Sequence, residues 1–338
     1  YLVFEHAGER DPWAALTGDT LFVGDVGRVD ILSSRLPVTE LAGMLYDSVH
    51  DKLLRLPDGT RVYPAHGAGS LCGRGISGER WSTIGQERRN NAALRPMSRE
   101  AFVAEVTRDV PETPIYFLHS RDLNRSGPPV RTDADLPPVL TPRAVAAAVA
   151  GGALIIDTRP TAAYATAHPT GALHVGLDGQ YASWVGTLVK PDRSLVLLTA
   201  PDRAEEAVVR LARVGYENVA GTLSFDVDLW RSEGLRSGSL AEEPIEVAIR
   251  PERGILDVRR SREWEQGHLA GARHVPLAEL PDRVGELDPK TEWVLVCASG
   301  YRSGIAASVL ERAGFPSLVN AGGGMDLWSR AGRPLTGA

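Results

Sequence analysis

Short apolar runs alternate with segments of helical periodicity along most of the chain. Leu195–Leu198 and Trp293–Val296 are continuous apolar runs bounded by turn residues, which predicts buried strands. Ala204–Val214 and Gly304–Ala313 space their apolar residues as one face of a helix does. This alternation predicts α/β domains whose parallel sheets are covered by helices on both faces. Ligands bind such sheets at the carboxyl ends of strands, so the loops after Leu198 and Val296 are the places to search.

The pattern repeats with a period of about 100 residues. Asp157, at the end of one apolar run, is in register with Asp257 at the end of another. His168-Pro-Thr-Gly-Ala-Leu-His-Val175 then matches His268-Leu-Ala-Gly-Ala-Arg-His-Val275 at the same offset. Two copies of one fold are therefore predicted. The repeated His residues and the repeated Trp230 and Trp328 are expected to be structural.

A Pro-rich polar stretch before the first copy predicts a linker at 126–138. The predicted domains are accordingly 1–125, 139–238 and 239–338. In the first we expect a strand at Thr20–Val23, a helix over Val38–Arg55 and a strand at Val62-Tyr63. Because the chain opens on a β-rich apolar segment without an initiator Met, we expect this first domain to continue upstream.

Composition excludes several classes of protein. The 37 Lys and Arg against 43 Asp and Glu give a net charge of −6, with no basic stripe, which argues against nucleic acid or an acidic membrane as partner. No apolar run is long enough to cross a bilayer. The two cysteines, Cys72 and Cys297, are too few for a disulfide framework, so we expect a cytoplasmic protein that acts on small molecules.

The loop after Val296 carries the clearest chemistry. The predicted strand runs directly into Cys297-Ala-Ser299-Gly300-Tyr301-Arg302-Ser303, and a helical pattern follows. Backbone N–H groups that converge at a helix N-terminus stabilise a thiolate, Gly300 permits the backbone angles of a cradle, and Arg302 adds a cation for an anionic substrate. Cys297 is therefore predicted to be a nucleophile.

This loop and the matching copies resemble the rhodanese (sulfurtransferase) family. Cys-x-x-Gly-x-Arg-Ser resembles that family's active-site loop, and Asp257-x-Arg259 with Gly267-His268-x-x-Gly271-Ala272 resembles its other signature. The resemblance implies that Cys297 carries sulfane sulfur as a persulfide, with thiosulfate and sulfite as partners. In the first copy the corresponding loop is Thr199-Ala-Pro-Asp-Arg203, without a cysteine, so we expect that copy to be catalytically silent.

The amino-terminal segment carries a second motif. Asp25 lies in a Gly-rich turn after an apolar strand, where a carboxylate is a good ligand for a divalent metal. Gly18-Asp-x-Leu-Phe-x-Gly-Asp25-x-Gly-Arg28-x-Asp30, followed by Tyr63-Pro-Ala-His66-Gly, resembles the second half of a metallo-β-lactamase αββα domain, in its persulfide dioxygenase branch. The expected fold is therefore the carboxy-terminal part of such a domain followed by two rhodanese-like α/β domains with parallel sheets.

The resemblance to the dioxygenase branch implies one Fe(II) per intact chain and O2 and a low-molecular-weight thiol persulfide as substrates. It implies that Asp25 is an iron ligand, that His66 is a second-site residue or a non-ligand, and that Arg28 orients the loop or the substrate. Cys72 is either a buried inert thiol or a residue that handles persulfide. The family's His-x-His-x-Asp-His signature does not occur in these 338 residues, so the chain supplies an incomplete iron site.

Two alternatives stay open at this point. One is a zinc hydrolase of the same metallo-fold, acting on thioesters or lactones, with His66 as a ligand. The other is a sulfur carrier in which Cys297 receives persulfide without turnover. A homo-oligomer is a further expectation from the resemblance.

Overall fold

The computed structural model describes residues 1–31, 36–68, 70, 72–73, 75–108, 115–127 and 136–337. It divides into two compact units, Tyr1–Thr113 and Pro114–Ala338. Most of the predicted linker, residues 128–135, lies outside the described residues. None of the described helices is long and apolar enough to cross a bilayer.

In the first unit, the described residues form short strands and three α-helices. Its strands are β1 (Leu2–Val3), β2 (Ala14–Gly18), β3 (Leu21–Phe22), β4 (Asp25–Val26), β5 (Arg61–Pro64) and β6 (Ser82–Thr83), and its helices are α1 (Val38–His50), α2 (Ile84–Asn90) and α3 (Arg99–Val106). The sheet order is β1-β2-β5-β6, with β2 and β5 parallel and both outer pairs antiparallel, while β3 and β4 form a separate hairpin. The predicted long helix ends at His50, and a 3₁₀ turn, Leu53–Arg55, follows it.

The second unit begins with α4 (Ile115–Ser126) and continues with the first repeat. The strands of this repeat are β7 (Val139–Leu140), β8 (Leu154–Asp157), β9 (His168–Pro169), β10 (Leu173–His174), β11 (Leu195–Leu198), β12 (Val219–Leu223) and β13 (Ser237–Gly238). Its helices are α5 (Pro142–Ala150), α6 (Thr161–Thr166), α7 (Tyr181–Leu188), α8 (Ala204–Ala212) and α9 (Val227–Ser232).

The second repeat completes the unit. Its strands are β14 (Ala241–Pro244), β15 (Gly254–Asp257), β16 (Arg273–His274), β17 (Trp293–Val296) and β18 (Leu318–Gly322). Its helices are α10 (Ile245–Ala248), α11 (Ser261–Glu265), α12 (Leu280–Arg283), α13 (Tyr301–Arg312) and α14 (Gly324–Arg330).

The two repeats have the same sheet topology. The first sheet has the order β10-β8-β11-β12-β7 and the second β16-β15-β17-β18-β14, and every pairing in both is parallel. The central strands are apolar throughout because both of their faces are covered. Alternate residues of β11 and β17 face one core shared by the two repeats, and the others face a separate core in each repeat.

The predicted boundary at residue 125 differs from the structure. Helix α4 packs on the first repeat, where His119 Nε2 lies 2.9 Å from the Gly215 carbonyl oxygen and Ser120 Oγ donates to the Val214 carbonyl at 3.2 Å. Gly186 of α7 leaves the space that the Tyr116 ring fills. These contacts place α4 with the repeats. The sequence of α4 alone does not reveal this, because its partners lie far along the chain.

Candidate functional site

Cys297 follows β17 directly and is 1% exposed. The Gly300 N–H donates to its Sγ at 3.1 Å, and Ser303 Oγ lies 3.3 Å from the same sulfur. Gly300 has φ +103°, a left-handed conformation that a side chain disfavours, and α13 begins at the next residue. The loop thus curls its polar groups around the sulfur, as the pattern from Cys297 to Ser303 predicts.

Helix α14 supports the loop from behind. The Met325 and Asp326 N–H groups donate to the carbonyls of Cys297 and Ala298, both at 2.8 Å. Gly324 permits this approach, because a Cβ there would lie 2.5 Å from the Ala298 carbonyl oxygen. Sequence reasoning missed this contact, although the run Gly322-Gly323-Gly324 was the available signal.

Arg302, predicted to add a cation for an anionic substrate, is paired with a carboxylate in this structure. Its guanidinium forms a bidentate ion pair with Glu263, with N–O distances of 2.6 and 2.7 Å. Burial opposes the charge of Arg302, but the hydrogen bond and charge of Glu263 outweigh it, so the Arg302 pKa is raised. Burial likewise opposes the charge of Glu263, yet Arg302 holds the pKa of that carboxyl below its usual value. Arg302 therefore braces the loop against α11.

Tyr301 joins the loop to the first repeat. Its hydroxyl donates to the Gly176 carbonyl at 2.8 Å, and burial raises the pKa of the phenol, so the hydroxyl stays a donor at neutral pH. Gly179 makes room for the ring, since a Cβ there would lie 2.5 Å from Tyr301 Cε2. Gly304, one turn further along α13, packs closely on Thr161.

An open cavity of about 590 Å³ borders the loop. The loop contributes Ser299, Tyr301 and Arg302 to its lining, and Ser299 is exposed. Arg260 and Glu263 at the start of α11 complete that wall. The first repeat contributes the remaining lining residues, which are Pro160, Thr161, Gly176, Asp178, Gly179, Gln180 and Trp184.

The corresponding loop of the first repeat holds no sulfur. After β11 it runs through Thr199 and Ala200 into a 3₁₀ turn, Pro201–Arg203. Arg203 pairs with Asp178 at 2.6 Å and with Glu206 at 2.8 Å. This loop therefore offers neither a cysteine nor an unpaired Arg203.

The repeated histidines lie in the scaffold. His168 and His174 stack on Tyr164 with ring centroids 3.8 and 4.6 Å apart, and His268 and His274 stack on Trp264 at 3.5 and 4.7 Å. His174 Nδ1 lies 3.2 Å from the Asp157 carbonyl oxygen and its Nε2 lies 3.2 Å from Thr161 Oγ1. Stacking and backbone hydrogen bonds account for these side chains without a metal.

In the first unit the structure brings together Asp19, His66 and Cys72. Their potential ligand atoms all lie within 4.8 Å of one another, and His66 Nε2 is 3.2 Å from Asp19 Oδ1. The carboxylate that the sequence predicts as a metal ligand, Asp25, is not in this cluster. Asp25 is 7% exposed, and its carboxylate accepts the Val26 and Gly75 N–H groups at 2.8 Å each, so it shapes the turn. The carboxylate beside His66 is that of Asp19.

Arg28 and Cys72 also have defined places. Arg28 forms a bidentate pair with Asp30, with N–O distances of 2.9 and 2.5 Å, and its backbone N–H donates to the Cys72 carbonyl at 3.2 Å. Arg28 thus supports the loop that carries Cys72. Burial raises the pKa of the Cys72 thiol.

The cluster does not fit the iron site that the resemblance implies. A facial triad needs two His and one carboxylate. Among the residues that the structure describes, the cluster offers one His, one Asp and one Cys. Oxygen, nitrogen and sulfur donors together are closer to the ligands of zinc.

Fold and loop together define an α/β protein with two copies of one parallel-sheet domain and a cradled cysteine in the second. The rhodanese-like domain model matches residues 141–233 and 241–331, more than half of the chain, so the chain belongs to the rhodanese-like family. The structure is also similar to a metallo-beta-lactamase from Staphylococcus aureus subsp. aureus COL, with a TM-score of 0.56 and 26% identity over 65% of this chain and 60% of that one. Both parts of the resemblance, rhodanese repeats and a metallo-β-lactamase relative, are confirmed.

Curated relatives match shorter stretches. YrkF of Bacillus subtilis (strain 168), a candidate sulfur carrier by name, is 40% identical over 75 residues, which cover 22% of this chain and 40% of YrkF. YqhL of the same organism is 36% identical over 90 residues, 27% of this chain and 71% of YqhL. The thiosulfate sulfurtransferase GlpE of Stutzerimonas stutzeri (strain A1501) is 32% identical over 74 residues, 22% of this chain and 68% of GlpE.

Proposed function

We propose that the chain is a sulfurtransferase in which Cys297 accepts sulfane sulfur from a small donor and passes it to a small acceptor. The observation that carries this proposal is the cradle, in which the Gly300 N–H and the Ser303 hydroxyl both lie within hydrogen-bond distance of Cys297 Sγ. A polar group beside the sulfur stabilises negative charge there, and the thiolate is the reactive form. The thiosulfate sulfurtransferase GlpE and the carrier-like YrkF among its relatives support the same chemistry.

The transfer has two balanced steps. The Cys297 thiolate attacks the terminal sulfur of a thiol persulfide, the S–S bond of the donor breaks, and the donor leaves as a thiolate. Sulfite then attacks the terminal sulfur of the Cys297 persulfide, which forms thiosulfate and returns the Cys297 thiolate. When the same two steps run in reverse, they transfer sulfur from thiosulfate to a thiol. No external oxidant or reductant is needed.

The test compares two cysteine variants with thiosulfate and cyanide as the substrate pair. Cys297→Ser should abolish thiocyanate formation, and intact-protein mass spectrometry should no longer detect a sulfur atom added to the chain. The matched variant Cys72→Ser removes the other thiol and so separates the loss of any cysteine from the loss of this one. An unchanged rate in Cys297→Ser would refute the assignment.

A second candidate concerns the first unit, where the cluster of Asp19, His66 and Cys72 favours a divalent metal site. Bound there, a metal would be held by these three side chains and would supply Lewis-acid chemistry. Oxidation of a thiol persulfide to sulfite at iron, in a cytoplasmic pathway of sulfide detoxification, rests on the resemblance, and the donor set favours zinc instead. Metal analysis decides between them: about one iron per chain supports the oxygenase, whereas zinc that is lost in His66→Gln supports the hydrolase.

A further inference from the structure

Helix α13 begins directly after the cysteine loop, and the first repeat holds this helix by hydrogen bonds. At the start of the helix, the Tyr301 hydroxyl donates to the Gly176 carbonyl at 2.8 Å. Further along, Ser308 Oγ accepts the His174 N–H at 3.0 Å, and both of these residues are fully buried. The helix of the repeat that carries the cysteine is therefore attached to the repeat that lacks one.

The same face of α13 contacts the first repeat at two further points. Gly304 packs so closely on Thr161 that a Cβ there would lie 2.8 Å from Thr161 Cγ2. In the last turn, Arg312 donates to the Gly171 carbonyl at 2.7 Å. Residues three or four positions apart share one face of a helix, as these contact residues do: Tyr301, Gly304, Ser308 and Arg312. The helix therefore cannot slide or turn on the first repeat without breaking directional contacts.

The polar groups around the sulfur lie on either side of Tyr301 in the chain. The Gly300 N–H donates to Cys297 Sγ at 3.1 Å, and Ser303 Oγ lies 3.3 Å from the same sulfur. The carbonyl of Cys297, by contrast, is held by the Met325 N–H of α14. Apolar packing of α13 on its own sheet is non-directional and does not by itself fix where the helix begins. The sulfur is thus held by the second repeat, while the place of its polar partners depends on the start of α13.

We propose that Tyr301 is a positioning residue for the sulfur transfer at Cys297. Its hydrogen bond to the Gly176 carbonyl fixes the point at which α13 begins, and the contacts further along the helix keep it there. The Gly300 N–H and the Ser303 hydroxyl are thereby held within reach of the sulfur. The inference rests on the proposed sulfur transfer, and it gives the backbone of the repeat without a cysteine a part in setting the geometry of the loop.

The first experiment measures kcat and KM for thiosulfate at saturating cyanide. Tyr301→Phe removes the hydroxyl and keeps the ring, and it should lower kcat about fivefold, the factor expected for one lost hydrogen bond, with KM unchanged. Tyr216→Phe is the matched control, because the buried Tyr216 hydroxyl donates to the Val189 carbonyl within the first repeat, and it should leave both constants unchanged. An unchanged kcat in Tyr301→Phe, equal losses in the two variants, or a change confined to KM would each refute the proposal.

A second experiment needs no sulfur transfer and so separates this proposal from the proposed function. In a Cys72→Ser background Cys297 is the one thiol of the chain, and intact-protein mass spectrometry follows its alkylation by iodoacetamide across a range of pH. Because the thiolate is the reactive form, the midpoint of the pH profile reports how well negative charge on the sulfur is stabilised. The rate reached at high pH reports access to the sulfur instead.

Other charges near the loop do not confuse this comparison. Burial raises the pKa of the Tyr301 phenol, which therefore stays neutral, and the ion pair of Arg302 with Glu263 is present in both variants. Tyr301→Phe should move the midpoint about 0.7 pH unit higher, which is the same factor of five, and Tyr216→Phe should not move it. Coinciding midpoints would refute the positioning role even if the wild type transfers sulfur. A shifted midpoint in a protein that transfers no sulfur would support the positioning role and refute the proposed function.

Discussion

The burial of His174 predicts that the second unit loses stability in mild acid. The side chain is completely buried, and burial lowers its pKa from 6.5 to about 4. In the unfolded chain the imidazole binds a proton near its ordinary pKa of about 6.5. Between these two pKa values the unfolded state therefore holds more protons than the folded state, so stability is full above pH 6.5 and falls as the pH is lowered. Two and a half pKa units correspond to about 3 kcal/mol in total, of which about 2 kcal/mol is lost by pH 5.

The measurement is the free energy of unfolding in urea at pH 7.5 and at pH 5, followed by tryptophan fluorescence. His174→Gln keeps an amide that can bond to the Asp157 carbonyl and to Thr161 but cannot titrate. We expect the difference between the two pH values to shrink by about 2 kcal/mol in this variant. His274→Gln, at the matched position of the second repeat, controls for the loss of an imidazole as such. If the wild type and His174→Gln lose the same free energy between pH 7.5 and pH 5, the explanation is wrong.

Two further predictions concern the cysteine loop and the joint between the repeats. Gly300→Ala should destabilise the loop by about 1 to 2 kcal/mol and lower sulfur transfer, because the φ of +103° disfavours a side chain. Space is not the cause, since the atom nearest to a new Cβ is 3.7 Å away. Gly285→Ala, with no atom within 4 Å and no positive φ, is the control, and equal effects in both variants would exclude backbone strain. Glu311→Gln should lower the free energy of unfolding of the second unit by about 1 to 2 kcal/mol, because the Glu311 carboxylate accepts from the Tyr164 hydroxyl at 3.1 Å and lies 2.9 Å from His168 Nε2. Thermal denaturation of Glu311→Gln and of the exposed control variant Glu265→Gln measures this loss. An equal loss of stability in both variants would contradict the prediction.

The sequence carries enough information for the repeats and for the cysteine loop. Strand β17 and the loop after it are local features, because an apolar run, a glycine and a helical pattern follow one another directly. The equal spacing of Asp157 and Asp257 predicts two copies, and the two sheets indeed share one topology. Such features depend on short-range sequence, so they can be predicted.

Charge pairing between distant segments could not be predicted. Arg302 finds its counter-ion in Glu263, which lies 39 residues earlier in the chain. Likewise, Asp19 and Asp25 are both carboxylates in Gly-rich turns, and only the folded chain shows that Asp19 lies beside His66 while Asp25 binds backbone N–H groups. A pattern of residues identifies which groups can do chemistry, but it does not tell which of them are already neutralised.

The two repeats show that the same fold forms with and without a cysteine in the loop after the central strand. In each, a buried aspartate at the end of the second strand of the repeat pairs with the arginine two residues later, Asp157 with Arg159 and Asp257 with Arg259. Each arginine also donates to a carbonyl eight residues further on, that of Ala167 or Gly267. These pairs stabilise the scaffold without any contribution from the loop after β11 or β17. The fold of each repeat is therefore held independently of that loop, and the first repeat also supplies the Gly176 carbonyl that accepts the Tyr301 hydroxyl of the second.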